Sequence, residues 1–273
     1  MTEPLIARLD EVWSDVAAVC DDLTDAQWST ATECPGWTVH DNVAHMIGTE
    51  RMLLGEQPAA DAPVAPDAPH VRNDIGKANE QWIATYRGWD GAALLDEFRA
   101  VTGRRLEVLR AMSTAEWEKE GITPEGPGPY GLFMEIRLFD CWYHDQDIRE
   151  ALDRPGFLEG PVADQSIGRI PAKALGYVVG KRAGAPPNST VLFEITGASP
   201  IVAAVAVPPE GRAVVLADMP DAPTARIVVD RRTFTRLAGG RWSGDHARAN
   251  GTLRVEGDTE LADRIVDNLA FTI

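Results

Sequence analysis

The sequence predicts a two-domain α+β protein, with an antiparallel helical bundle over residues 1–155 and a smaller α+β domain over residues 156–273. Three observations predict this fold class. Apolar residues recur at three- and four-residue intervals through the first half of the chain. After about residue 185 the pattern changes to short β-rich runs bounded by Gly, Pro and Asp. A chain of 273 residues is also long enough for two domains of ordinary size.

The helices of the first half follow from their apolar repeat and their start signals. They are predicted at about residues 5–20, 38–54, 75–86, 94–112 and 132–151, with a short helix begun at Ser113 to Glu116. Thr38 and Asp41 resemble a capping box, and the apolar stripe of the helix that follows includes Glu50. Residues 57–70, with four prolines and five alanines, predict an irregular connection. Residues 124–129 are too rich in Pro and Gly for a helix or a central strand.

The second half is predicted to contain all of the β-sheet. Its predicted helices cover residues 161–182, 234–237 and 261–269, and its predicted strands cover residues 190–196, 201–207, 212–216, 225–229 and 253–255.

Composition excludes several classes of partner. A formal net charge of −16 disfavours nucleic acid and anionic membranes, because few groups could neutralise phosphates. No apolar run reaches the roughly 18 residues that a membrane-spanning helix needs, and no secretory signal is visible. The three cysteines are widely spaced and odd in number, which indicates a reducing cytoplasm.

Asp140 and His144 are the strongest candidates for a functional site. They lie four residues apart, so a helix places them on one face. They fall on or beside the stripe formed by Leu132, Ile136, Phe139 and Tyr143. Ionisable groups on an apolar face are costly unless paired or bound to a metal. His45 would complete three ligands for a divalent metal and leave one position open for chemistry.

Simpler interpretations remain open at this point. Asp140 and His144 could pair with each other or with a nearby arginine. His45 lies about 140° from the centre of its helix's stripe on a 100° wheel, so it could be a surface residue or could point into a cleft. The other histidines are weaker candidates: His40 sits in a first turn, His70 in the Pro-rich connection and His246 in a loop. Cys34 and Cys141 could bind a soft metal in principle, but neither is predicted to be a ligand.

Two segments of the chain resemble a known family. The run CPGWTVHDNVAH at residues 34–45 and the run RLFDCWYHDQDIR at residues 137–149 resemble the mycothiol-dependent maleylpyruvate isomerase family. The runs TFTRLAGGR at 233–241 and VEGD at 255–258 are similar to that family's second domain. The resemblance implies a DinB-like four-helix bundle followed by a sterol-carrier-like domain.

The resemblance also implies site residues. The family's metal site uses an early histidine and a Glu-x-x-x-His motif, which match His45, Asp140 and His144 here, with Asp one methylene shorter than Glu. Asp147 would orient a ligand or else form a salt bridge with Arg137 or Arg149. The family also uses an arginine of the second domain, for which Arg241 and Arg236 are the candidates.

The activity implied by the resemblance is that of a mycothiol-dependent isomerase or S-transferase of an actinobacterial cytoplasm. A divalent metal, which the resemblance implies is zinc, would activate the thiol of mycothiol as a bound thiolate, which attacks a small electrophilic, maleylpyruvate-like substrate. The expected partners are therefore the small thiol and the electrophile, with no nucleic acid and no membrane. Two alternatives remain: a non-catalytic metal- or ligand-binding protein of the same fold, and a metal-dependent hydrolase.

Overall fold

The computed structural model describes residues 2–60, 62 and 68–271. The chain divides into two compact units, Met1–Gly156 and Phe157–Ile273. Residues 61 and 63–67 of the predicted irregular connection lie outside the described residues, and the described residues of that connection form neither helix nor strand. Among the described helices, none combines the length and the apolarity needed to cross a membrane.

Helices make up most of the first unit. They are α1 (Thr2–Val19), α2 (Asp25–Trp28), α3 (Val39–Leu53), α4 (Asp74–Tyr86), α5 (Gly91–Ala111), α6 (Thr114–Trp117) and α7 (Tyr130–Ala151). The helix α1 packs against α5 and α7, while α3 packs against α4, α5 and α7. The apolar stripes that predicted these helices form the core. On α1, for example, the stripe from Leu5 to Val19 is buried.

A hairpin in the first unit corrects the expectation that all of the β-structure follows residue 185. Strand β1 (Glu120–Thr123) pairs antiparallel with β2 (Gly126–Pro129) and forms a separate two-stranded sheet. Gly126 has a φ of +106°, and the Thr123 hydroxyl donates to its carbonyl at 2.7 Å, which closes the turn. Such a ribbon has only edges, where proline is tolerated, so the exclusion of a central strand at 124–129 was correct.

The second unit is built on a mixed five-stranded sheet of order β5-β4-β3-β6-β7. Its strands are β3 (Thr190–Thr196), β4 (Ile201–Ala206), β5 (Val214–Val215), β6 (Ala225–Asp230) and β7 (Leu253–Gly257). Strands β3 and β6 run parallel, and the remaining pairs are antiparallel. The predicted strand at 212–216 is therefore limited to two residues.

Helices cover this sheet. They are α8 (Pro161–Tyr177), which continues into a π-helical turn (Val178–Arg182), α9 (Arg231–Ala238), α10 (Gly244–Ala249) and α11 (Thr259–Asp267). Burial alternates along β6, where Ala225, Ile227 and Val229 are buried. The expectation that His246 lies in a loop is wrong. It lies in α10, whose cap residue Ser243 accepts a hydrogen bond from the His246 backbone amide at 3.2 Å.

Candidate metal centre

The start of α3 determines where His45 lies. The Thr38 hydroxyl accepts a hydrogen bond from the Asp41 amide at 3.2 Å, and the Asp41 carboxylate accepts one from the Thr38 amide at 3.0 Å. This is the predicted capping box. His45 follows two turns later and is only 4% exposed, so the surface interpretation is wrong. Packing of α4, α5 and α7 against α3 buries faces that a single apolar stripe on a wheel does not reveal.

Asp140 lies between the two histidine rings. Its Oδ2 atom is 3.2 Å from His45 Nε2, and its Oδ1 atom is 3.6 Å from His144 Nε2. The two imidazole rings meet edge to face, with their centroids 4.9 Å apart. One ligand atom from each of the three residues lies within 4.8 Å of the others. Two imidazole nitrogens and a carboxylate oxygen at this spacing form a donor set that suits zinc.

An arginine anchors Asp140 to a buried ionic chain. Arg137 binds Asp140 Oδ2 through Nη1 and donates from Nε to Glu50 at 3.0 Å. Glu50 in turn accepts a hydrogen bond from Arg105 Nε at 2.9 Å, and Arg105 Nη2 donates to the Tyr130 hydroxyl at 2.6 Å. The pairing of Asp140 with an arginine, one of the two simpler interpretations, is therefore present, together with the clustering of the histidines.

The electrostatic environment shifts the pKa values of the two histidines in opposite directions. Burial lowers the pKa of His45 despite the adjacent Asp140 charge, which favours its neutral form. For His144 burial acts in the same direction, but the charges of Asp140 and Asp147 raise its pKa above the usual value. Burial alone would raise the pKa of Asp140, yet the positive charge of Arg137 and the two histidines hold it well below its usual range. The carboxylate therefore stays ionised at neutral pH.

Trp37 covers the two histidine rings. Its ring centroid lies 5.0 Å from that of His45 and 5.4 Å from that of His144, with both pairs tilted. The indole Nε1 donates to Glu80 at 2.8 Å, and His70 Nε2 lies 2.8 Å from the same carboxylate oxygen. Trp37 therefore has a fixed orientation and shields one side of the histidine pair.

Asp147 lies beside Nδ1, the second nitrogen of the His144 ring. Its Oδ2 atom is 3.4 Å from His144 Nδ1, and its side chain is fully buried. The thiol of Cys34 joins this side: ligand atoms of Cys34, His144 and Asp147 all lie within 4.8 Å of one another. Arg137 pairs with Glu50 and Asp140. Arg149 pairs with Asp15 and Asp145, the last of which is fully buried.

The two candidate arginines belong to the second unit. Arg236 is buried in the last turn of α9, and its carbonyl accepts hydrogen bonds from the backbone amides of Arg241 and Trp242. Arg241 Nη1 donates to the carbonyl of Gly239 at 3.0 Å. Their assignment to the substrate stays a prediction.

Sequence reasoning missed several residues that surround the histidines. The position of Trp37 beside the histidines was not predicted, and Cys34 was considered as a ligand of a soft metal but not predicted to be one. The residues between them, Pro35 and Gly36, are the ones that a type II turn requires. Gly36 has a φ of +83°, consistent with such a turn. The position of Glu50 in an apolar stripe was a signal of a buried ionic partner.

The fold and these contacts define a class: a helical bundle with a buried His/Asp cluster on two of its helices, followed by a mixed α+β unit. The family model of the mycothiol maleylpyruvate isomerase N-terminal domain matches residues 9–149, just over half of the chain. The chain belongs to this family. The model of the SCP-2 sterol transfer family matches residues 182–269. These matches confirm the resemblance and the two-domain α+β fold class.

Individual relatives are distant. An uncharacterized protein of Mycobacterium tuberculosis, present in strains CDC 1551 / Oshkosh and H37Rv, is 26% identical over 203 residues, which cover 72% of this chain and 74% of the relative. A crystal structure of the mycothiol-dependent maleylpyruvate isomerase has a TM-score of 0.56 at 17% identity and covers 89% of this chain and 90% of its own. A variant with one histidine replaced by alanine has a TM-score of 0.57 at 15% identity, covering 94% and 93%. At such identity the match establishes the fold.

Proposed function

We propose that this protein is a metal-dependent enzyme that uses mycothiol as a cosubstrate, an isomerase or S-transferase acting on a small electrophilic substrate of the maleylpyruvate type. The observation that carries the proposal is the convergence of His45, Asp140 and His144, whose ligand atoms lie within 4.8 Å of one another. The family supplies the thiol and the substrate class.

The residues present fit a divalent metal, with zinc the preferred ion. Two imidazoles and one carboxylate are the ligand set of catalytic zinc sites, which keep a position open for substrate. The shorter Asp140 still reaches both rings, since its two oxygens lie 3.2 and 3.6 Å from the histidine Nε2 atoms. Its side chain is 32% exposed, which leaves an approach to the cluster for a small molecule. When bound, the metal would supply a Lewis acid that lowers the pKa of a thiol.

The chain's own residues prepare this site in several ways. His45 presents a neutral nitrogen, because burial lowers its pKa. Asp140 stays ionised and is oriented by Arg137. Asp147 lies against His144 Nδ1 and orients that ring. Trp37 packs against one side of both rings.

The substrate proposal follows from the same chemistry. Addition of the thiol to a conjugated double bond, rotation, and loss of the thiol would convert a cis isomer to a trans isomer. With an organic halide the thiolate would displace halide ion, and with an epoxide it would open the ring to an alkoxide that takes a proton, so the product would be a thioether in both cases. Arg236 or Arg241 would hold a substrate carboxylate through charge-assisted hydrogen bonds. A cytoplasmic location is part of the proposal and is supported by three cysteines that form no disulfide.

Metal content and thiol consumption test the proposal together. We expect the wild-type protein to purify with a divalent metal and to consume mycothiol, or release isomerised product, in the presence of a suitable electrophile. His144→Ala should lose both properties, because it removes one of three ligands. His40→Ala is the matched control: His40 lies on α3 but bonds to the Trp89 carbonyl at 3.1 Å, so this variant should keep both.

Two outcomes would contradict the proposal. Full metal occupancy in His144→Ala would show that His45, Asp140 and His144 are not together the ligands of the metal. Turnover that proceeds equally without thiol would favour hydrolysis by a metal-activated water, and metal binding without any turnover would favour a non-catalytic protein.

A further inference from the structure

We propose a second metal site in the first unit, formed by the Cys34 thiolate, the Asp147 carboxylate and Nδ1 of His144. Ligand atoms of these three residues lie within 4.8 Å of one another. The site goes beyond the proposed function, which places a metal on the opposite nitrogen, Nε2, and uses Asp147 only to orient the ring; here Asp147 is itself a ligand. The two metals would lie on either side of His144, whose ring would release its remaining N–H proton to solvent and connect them as an imidazolate.

The first argument is the direction of the His144 ring. Its Nε2 atom faces Asp140 at 3.6 Å, and its Nδ1 atom faces Asp147 at 3.4 Å. The His144 side chain is 9% exposed, and Nδ1 is buried without a hydrogen-bond partner among the described residues. The ion-pair contact with Asp147 is longer than a good hydrogen bond, so a cation held between this nitrogen and the carboxylate would give both groups a closer partner.

The second argument is that the hydrogen bonds of a tight turn fix the position of Cys34. The Cys34 carbonyl accepts a hydrogen bond from the Trp37 amide at 3.1 Å, and the Cys34 amide donates to the Thr32 hydroxyl at 3.2 Å. The turn is confined at Gly36, where a Cβ atom would lie 2.4 Å from His70 Nδ1. The thiol is therefore presented to the His144 and Asp147 side by a turn with a defined geometry, rather than by a mobile loop.

The third argument is the contrast with the other cysteines. Cys20 and Cys141 are both buried in the helical unit, 1% and 0% exposed. Cys141 is engaged by Arg137 Nη2 at 3.2 Å and by Trp13 Nε1 at 3.4 Å. Cys34 is half-buried and is the one cysteine that falls within a cluster of metal-ligating side chains in the described part of the chain.

The donor set selects the class of ion. One thiolate, one imidazole and one carboxylate favour a borderline-soft cation such as Zn²⁺ over Mg²⁺ or Ca²⁺, which prefer oxygen ligands. A thiolate ligand also gives a spectroscopic signature that the proposed triad lacks. Co²⁺, a common substitute for zinc, shows a near-ultraviolet charge-transfer band only when a thiolate is coordinated.

Titration of the apoprotein with Co²⁺ under reducing conditions, without added mycothiol or other small thiols that bind metal, tests the second site. We expect two Co²⁺ per chain and a near-ultraviolet thiolate band in the wild-type protein. Cys34→Ser should lose the band and one Co²⁺ while keeping the visible bands of the other ion. Cys20→Ala is the matched control and should keep the band. His45→Ala, which disrupts only the proposed triad, should lose one Co²⁺ and keep the band.

These variants separate the failure of the second site from the failure of the proposed function. A wild-type protein without the band, or a band that survives in Cys34→Ser, would overturn the second site whether or not the triad binds metal. A single Co²⁺ per chain, whose band disappears in both Cys34→Ser and His45→Ala, would also overturn it, because one ion would then be shared by both groups.

Discussion

The helical unit and the sheet unit differ in what lies at their centres. In the helical unit, ionised groups such as Glu50, Arg105 and Arg137 are almost fully buried between the helices. In the sheet unit, the inward positions of the central strands are apolar, as at Phe193 and Ile227, and the buried arginines Arg231 and Arg236 lie on the helix α9 instead of on a strand. Burying charge is costly even when the charges are paired. The helical unit therefore keeps an ionic chain between its helices beside the candidate metal centre, whereas the strands of the sheet unit are organised by apolar packing.

The largest expected effect comes from breaking the buried ionic chain. Glu50→Ala should lower the free energy of unfolding by about 3–5 kcal/mol, because it leaves two buried arginines without their shared carboxylate. The matched change in the sheet unit, Ile227→Val, should cost only about 0.5–1.5 kcal/mol, since it removes one methylene from an apolar core. Urea unfolding, monitored by tryptophan fluorescence, measures the first effect, because seven of the eight tryptophans lie in the helical unit and only Trp242 lies in the sheet unit. Circular dichroism measures the second.

Equal costs at the two positions would break the comparison. Glu50→Gln serves as the second variant, since it keeps the side-chain shape and accepts a hydrogen bond. It should fall between wild type and Glu50→Ala.

An intermediate effect is expected at Arg137, which connects the ionic chain to the candidate metal centre. Arg137→Met should weaken metal binding by roughly 10–100-fold, because it removes the group that orients Asp140 beside the two histidines. Arg137→Lys should retain part of the affinity. Competition with a chromophoric chelator gives the dissociation constants. Tighter binding in Arg137→Met would show that repulsion between the arginine and the cation outweighs the positioning of Asp140.

The smallest effect concerns pH and the network behind Trp37. Burial would raise the pKa of Glu80, but hydrogen bonds from His70 and Trp37 and the charge of Arg87 lower it below the ordinary value of 4.5. A lowered folded-state pKa contributes stability that is present above pH 4.5 and is lost as pH falls through the folded-state pKa. Glu80→Gln should therefore be about 1.5 kcal/mol less stable than wild type at pH 7.

The difference between Glu80→Gln and wild type should shrink as the pH is lowered below 4.5, because protonation of Glu80 removes the same charge. Urea unfolding of both proteins between pH 7 and pH 3 provides the measurement. A constant difference over this range would show that the ionised carboxylate contributes nothing beyond its shape.

Several features of this protein were predictable because they depend on neighbours in sequence. The capping box at Thr38 and Asp41 predicted where α3 begins, and a four-residue spacing placed Asp140 and His144 on one face of α7. The change from helical to alternating periodicity predicted the two-domain fold class. The hairpin at Glu120–Pro129 was missed because its strands are short and rich in Gly and Pro, so its pairing leaves little trace in periodicity.

Contacts between distant segments were decided only by the tertiary structure. The helical-wheel analysis of the sequence could not assign His45 to the interior, because the burial of His45 comes from several helices that pack around α3. The approach of Trp37 to both histidine rings and of Cys34 to His144 depends on how the loop before α3 meets α7. The sequence alone therefore determined the long helices, the main strands of the large sheet and the candidate ligands, but neither the hairpin nor α10. Packing decided which of those ligands meet and how their charges are balanced, because burial and electrostatics depend on the whole neighbourhood in space.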